Sequence, residues 1–377
     1  MEINQQIFDK FIKRINLGGR LPVEELPNRV RSLFDCIKER ANHKIQMVYD
    51  SPNRKFVPIH CDFIDNSKVN AVAFTDNQDY IGINAGTVVI LYDLFHRMLM
   101  HPGILRSVVP APGYGGDVPY PPPFMPIVAD LRLHDIQLKT SSNPDRKAYA
   151  DILTNMALDF LIDHEIAHLR NGHVDYLCHY SNKAPFIMEA VGKNLNEHLS
   201  LTYQTLEMDA DSVALQYNFL AILDYSKSIR DKTKNLQSWE KPYIREDIAI
   251  FSLLYAIYFV FRIFNQQSWS IDELKTSSHP PTPLRYQMIF ELVNKVANKH
   301  GYKNFTYRKN KLLRLNRIVL SEAENAIELL TGKRDNLRGI KNALHPKSYS
   351  HITALLNHWK IIRPELDSFN RGGNLAP

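Results

Sequence analysis

The residues best suited to chemistry lie at positions 164–168, His164-Glu165-Ile166-Ala167-His168. On an α-helix, positions i and i+4 share a face, so the two imidazoles can reach one ion. The carboxylate beside the first of them can take a proton from a metal-bound water. Leu153, Ala157, Phe160 and Leu161 keep helical spacing upstream, and neither Pro nor Gly intervenes before Gly172. Two histidines do not complete a catalytic zinc site, which needs a third protein ligand and one position for water. His173 is the nearest candidate. On a continuous helix it would point about 180° away from His164, so it reads as a packing or surface residue.

Glu207 is the better third ligand. It stands in Leu206-Glu207-Met208-Asp209-Ala210-Asp211, and on a helix Asp211 shares its face. Glu207 can ligate while Asp211 orients a ligand imidazole through its distal N–H. Glu189 and Glu197 also follow the motif but have no carboxylate four residues on. The plainer alternative for 207–211 is a solvated acidic cluster. Further on, Ser278-His279-Pro280-Pro281-Thr282-Pro283-Leu284-Arg285 forms a rigid, extended approach to a helix. His279 can serve there as an oxyanion donor supported by Arg285, although alone the segment reads simply as a Pro-rich turn.

Positioning these groups requires helices, and the pattern after about residue 148 supplies them. Helices are predicted over 148–172, 200–224, 245–264, 284–299, 311–331 and 350–360. The chain divides into an N-terminal helical segment (1–44), a metal-bearing domain (45–290) and a basic α-helical C-terminal extension (291–377). In the first, Ile7, Phe11, Ile12 and Ile15 share one face, as do Val30, Leu33 and Ile37. In the second, the apolar runs Ile45–Tyr49, Phe56–Ile59, Val69–Phe74 and Tyr80–Ile83 read as short strands. A Pro/Gly-rich insertion at 102–130 reads as a surface loop. The run Ile248–Phe261 is almost wholly apolar but has only 14 residues. That is short of the roughly 20 needed to span a bilayer, so a buried core helix is predicted.

With 44% hydrophobic and 23% charged residues, the composition is that of a globular chain and excludes extensive disorder. A net charge of +6 over 377 residues requires no polyanionic partner. Lys295, Lys299, Lys303, Arg308, Lys309, Lys311, Arg314 and Arg317 read as a solvated face, with an acidic partner or nucleic acid as the alternative. Three cysteines with no ligand-pair spacing fit a reducing compartment. Residues 1–20 contain no apolar signal core. The expectation is a soluble, cytoplasmic protein without stable membrane insertion.

Taken together, the motifs resemble the gluzincin peptidases of the HtpX and prenyl-protein-endopeptidase family. The order is the same: H-E-x-x-H, then Glu207 with Asp211 four residues later, then His279-Pro280 with Arg285 six residues after the His. Asn70-Ala71-Val72-Ala73-Phe74 and Tyr80–Gly86 look like that family's Asn-Ala-containing strand pair. The metzincin arrangement is not matched, because Gly172 and His173 follow His168 by four and five residues rather than three and six.

The resemblance implies a zincin-like α+β fold, a small sheet on a zinc-bearing helical core. It implies His164, His168 and Glu207 as Zn2+ ligands, Glu165 as base, and His279 and Arg285 as auxiliary groups. Asn70, Ala71, Val72 and Ala73 would be the strand edge that pairs with an extended protein or peptide substrate. Three features depart from the family: no membrane span is predicted, the 102–130 insertion separates strands from zinc helix, and Asp209 replaces a usual Glu. Solubility and the zinc motif are also similar to the Lit-type phage-exclusion peptidases. The expected activity is zinc-dependent cleavage of internal peptide bonds. The alternative is a non-catalytic, zinc-stabilised module that binds nucleic acid or protein through its basic C-terminal region.

Overall fold

The computed structural model describes residues 2–49, 57–109, 138–181, 186–189, 195–232, 235–264, 270–299, 309–332 and 337–376. The fold is α+β, mostly helical, with one mixed five-stranded sheet. Its strands are β1 (Gly19–Arg20), β2 (Ile59–Asp65), β3 (Ala71–Asp76), β4 (Gln78–Asn84) and β5 (Phe186–Met188), in the order β1-β2-β4-β3-β5. β3 and β4 form a tight hairpin that turns at Asn77, whose φ is 60°. Asn tolerates that left-handed conformation better than most residues.

Side-chain alternation gives the sheet two apolar faces. Ile64, Val72, Phe74 and Tyr80 face helix α1 (Glu2–Arg14), which contributes Phe8, Phe11 and Ile12. Phe11 stacks on Phe74 with centroids 3.7 Å apart. The opposite residues, Cys61, Phe63, Ala71, Ala73, Ile81 and Ile83, face the main core. That core is built round α4 (Pro144–Arg170) and α6 (Glu197–Asp231), with α3 (Ala85–Met100) and α7 (Glu246–Phe264) beside α4.

Local signals explain the boundaries of α4. The Asn143 side chain accepts the Arg146 N–H, Pro144 occupies the first turn, and Gly172 follows the helix at φ 78°. Helix α2 (Asn28–Tyr49) docks on α4 through ion pairs one turn apart, Arg40–Asp159 and Lys44–Asp163. α7 is long and apolar enough to cross a membrane, yet Ala249 to Ile263 are all buried inside the fold.

The remaining described helices are α5 (His173–Ser181), α8 (Thr282–Lys299), α9 (Lys309–Thr331), α10 (Leu337–Ala343) and α11 (Pro346–Leu366). Buried residues from all three sequence segments, Leu21 through Leu366, share one core cluster, so the segments are parts of one packed body. Lys295, Arg314 and Arg317 are exposed. Most of the 102–130 insertion, from residue 110 on, lies outside the described residues, as do Lys303 and Arg308.

Three expectations need correction. Ile45–Tyr49 is the last part of α2, because the apolar run continues the helical stripe of Val30, Phe34, Ile37 and Ala41. α3 was not anticipated: nearly every one of its residues is buried, so it lacks the amphipathic period that marks a helix in sequence. Finally, Asn70–Ala73 is not a free edge. β5 covers β3 in antiparallel register, Val72 opposite Met188 and Ala73 opposite Ile187.

Candidate metal centre

α4 and α6 pack side by side and bring their polar residues together in the interior. His164, Glu165 and His168 from α4 and Glu207, Asp209 and Asp211 from α6 are all buried. Ligand atoms of His164, His168, Glu189 and Glu207 lie within 4.8 Å of one another. His164 Nε2 is 2.6 Å from a Glu189 oxygen and 3.3 Å from Glu207, and His168 Nε2 is 3.3 Å from the other Glu207 oxygen. Glu189 comes from the end of β5, where its backbone N–H donates to Ala71 C=O at 3.1 Å. Reasoning from carboxylate pairs along one helix missed it, because its place is set by strand pairing. Glu197 is far from this group, exposed and paired with Lys275.

The surroundings orient the imidazoles. Asp211 Oδ1 lies 3.0 Å from His164 Nδ1, which turns His164 Nε2 toward the carboxylates. His173 is buried against the site: its Nδ1 is 3.0 Å from His168 Nδ1 and its Nε2 is 3.0 Å from Asp209 Oδ2. The 180° offset between His173 and His164 holds only on a continuous helix. The break at Gly172 starts α5 in a new direction and swings His173 back toward His168. Asp209 is itself held by Asn171 Nδ2 and by the Ala376 backbone N–H.

Arg285 is buried, donating to both Asp211 oxygens at 2.8 Å and to Glu189 at 3.2 Å, with its guanidinium over the Phe261 ring. In this geometry it is a counter-ion for three carboxylates, Glu207 included at 3.3 Å. His279 Nε2 lies 3.3 Å from Glu207 Oε1, and its Nδ1 is 2.8 Å from Ser278 Oγ. The structure thus gathers His164, Glu165, His168, Glu207, Asp211, His279 and Arg285 at one place. Ala71 to Ala73 lie on β3, the strand that β5 covers, and Asn70 immediately precedes it.

Charge makes the cluster unusual. Burial pushes the Glu165 carboxyl well above its ordinary range, and the Glu189 and Glu207 carboxylates push it the same way. Burial lowers the His168 imidazole to about 4, so it is neutral and able to donate a lone pair. Burial opposes charge on His164, but Glu189, Asp211 and Glu207 outweigh it and raise its pKa well above the usual value. Among the described residues, neither Glu165 oxygen has a hydrogen-bond partner. Buried carboxylates are ordinarily paired or bound to metal. Two imidazoles with converging carboxylates could hold a metal ion, and imidazole donors suit zinc, copper, iron or nickel.

No family model, curated protein or solved structure matches this chain.

Proposed function

We propose that the chain is a zinc-dependent endopeptidase, with the metal held by His164, His168 and Glu207 and with Glu165 as general base. One observation carries the reading: four buried donors converge within 4.8 Å beside a buried carboxylate that has no partner. Zinc supplies a Lewis acid that polarises a carbonyl and lowers the pKa of a water toward about 7. The chain supplies the rest. Glu165, beside His164 on the helix and with no hydrogen-bond partner of its own, takes a proton from water as the carboxylate and returns it to the leaving amine. His279, 13% exposed by side chain and aimed at Glu207, is the group of the site best placed to meet a substrate oxygen.

A second reading, a non-catalytic zinc-stabilised module, draws on the same donor count. Four protein ligands complete the tetrahedron of a structural zinc site. Glu165 favours the peptidase, since a structural site has no use for an unpaired base. The test is metal analysis with hydrolysis of an unfolded protein such as casein, wild type against Glu165→Gln. The expected outcome is one zinc per chain in both proteins and cleavage by the wild type alone. Equal cleavage by both would place the chemistry elsewhere.

A further inference from the structure

We infer that Phe186–Glu189 is an internal substrate mimic that keeps the metal site closed, an inference that rests on the peptidase reading above. β5 lies antiparallel on β3, with Val72, Ala73 and Phe74 opposite Met188, Ile187 and Phe186. The Glu189 N–H to Ala71 C=O bond extends the ladder by one step. An extended peptide adding to an exposed sheet edge would make these same main-chain bonds. The strand then runs straight into the metal cluster. Its next residue is Glu189, whose carboxylate is 2.6 Å from His164 and 3.2 Å from the Arg285 guanidinium.

A catalytic zinc keeps three protein ligands and one open position, whereas a closed site has four. His164, His168 and Glu207 make three, and Glu189 is the fourth donor within reach. The two glutamates differ in their supports. Glu207 sits within a 35-residue helix and is buried on all sides, so it cannot leave without unpacking α6. Glu189 follows a strand of three residues, and such a short pairing can be exchanged for another strand. Glu189 is thus the displaceable ligand.

The competitor's chemistry follows from what β5 covers. Ile187 enters the main core, and Phe186 and Met188 pack beside the α1 face of the sheet. A displacing segment must therefore be extended and apolar at consecutive positions, as in an unfolded or partly unfolded protein.

The experiment uses the full chain loaded with cobalt(II), whose visible spectrum reports coordination, and acetohydroxamic acid as the probe of an open position. Wild type should bind one equivalent of cobalt with a four-coordinate spectrum that the hydroxamate leaves unchanged. Glu189→Gln should still bind one equivalent, give a spectrum that responds to hydroxamate, and cleave casein about tenfold faster or more.

A wild-type spectrum that shifts with hydroxamate would overturn the inference without any variant. So would a folded Glu189→Gln protein that loses cobalt as fully as Glu207→Gln. A hydroxamate response confined to the variant, with no cleavage by either protein, would support the closed site while removing the peptidase reading. Failure of wild type to bind cobalt would remove both.

Discussion

A carboxylate whose two oxygens are buried and unpartnered is costly unless a proton or a cation answers it. Glu165 is in that position, whereas Glu207 is answered by the cations and imidazoles about it, Arg285 and His279 at 3.3 Å. Glu207→Gln should lower metal affinity by more than the roughly 10–100-fold that loss of a supporting hydrogen bond costs, read by competition with a chelating dye. Unchanged affinity would remove Glu207 from the ligand set. His173→Ala should fall within that 10–100-fold range, because it frees His168 Nδ1 rather than a ligand atom. His173→Gln, whose amide can bridge His168 and Asp209, should recover part of the loss; a packing role alone would give no such recovery.

His164, Glu165 and His168 could be found from an i, i+4 step, and Glu207 from its partner Asp211. Glu189 and His173 could not, since one depends on strand pairing and the other on a helix break at Gly172.

Among the elements, α4, α6 and α7 were legible because long helices carry caps or continuous apolar runs. β5 is only three residues long, and the apolar run Val88–Tyr92 of α3 is short enough to read as a buried strand as well as a helix. The element scale also holds a buried charge that no motif announced. Arg146, in the first turn of α4, donates to the carbonyls of Leu99, His101, Ile104 and Val109 at 2.6–2.8 Å. It thereby satisfies the end of α3 and the turns after it, groups that a helix leaves without internal partners. Arg146→Met should leave those carbonyls buried without their donor and cost about 3–5 kcal/mol. Urea denaturation checks the loss, and metal stoichiometry in the folded variant should remain that of wild type. A stability change under about 0.5 kcal/mol, the range of ordinary surface substitutions, would show that water serves those carbonyls equally well.

Across the whole molecule, the segment after α11 ties distant parts of the chain together. The Arg371 and Gly373 N–H groups donate to Arg170 C=O at the end of α4, and the Ala376 N–H reaches Asp209 beside the buried His/Glu group. Gly373 passes so close that a Cβ there would lie 1.8 Å from Asn171 Oδ1. Nothing in the sequence pattern announces contacts that span some two hundred residues. The Arg371 side chain bridges Asp79 on β4 and Asp175 on α5, and this pairing sets a pH dependence whose sign can be worked out. Burial raises the Asp79 carboxyl to about 6 from an ordinary 3.8, even though Arg371 pulls it down. A group whose folded pKa is raised contributes stability below its unfolded pKa and loses it as pH rises through the folded value. Removing Arg371 takes away the largest lowering influence, so the Asp79 pKa climbs further and the loss extends to higher pH. At pH 5 the carboxyl is mostly protonated with or without Arg371, and Arg371→Ala should differ little from wild type through this group. At pH 8 the variant must bury a charge without its partner, and the gap should widen by about 2 kcal/mol. Urea denaturation of both proteins at the two pH values gives the test, and taking the difference cancels the histidines they share. A gap that stays constant or narrows toward pH 8 would mean that Asp79 does not carry the coupling between the tail and the sheet.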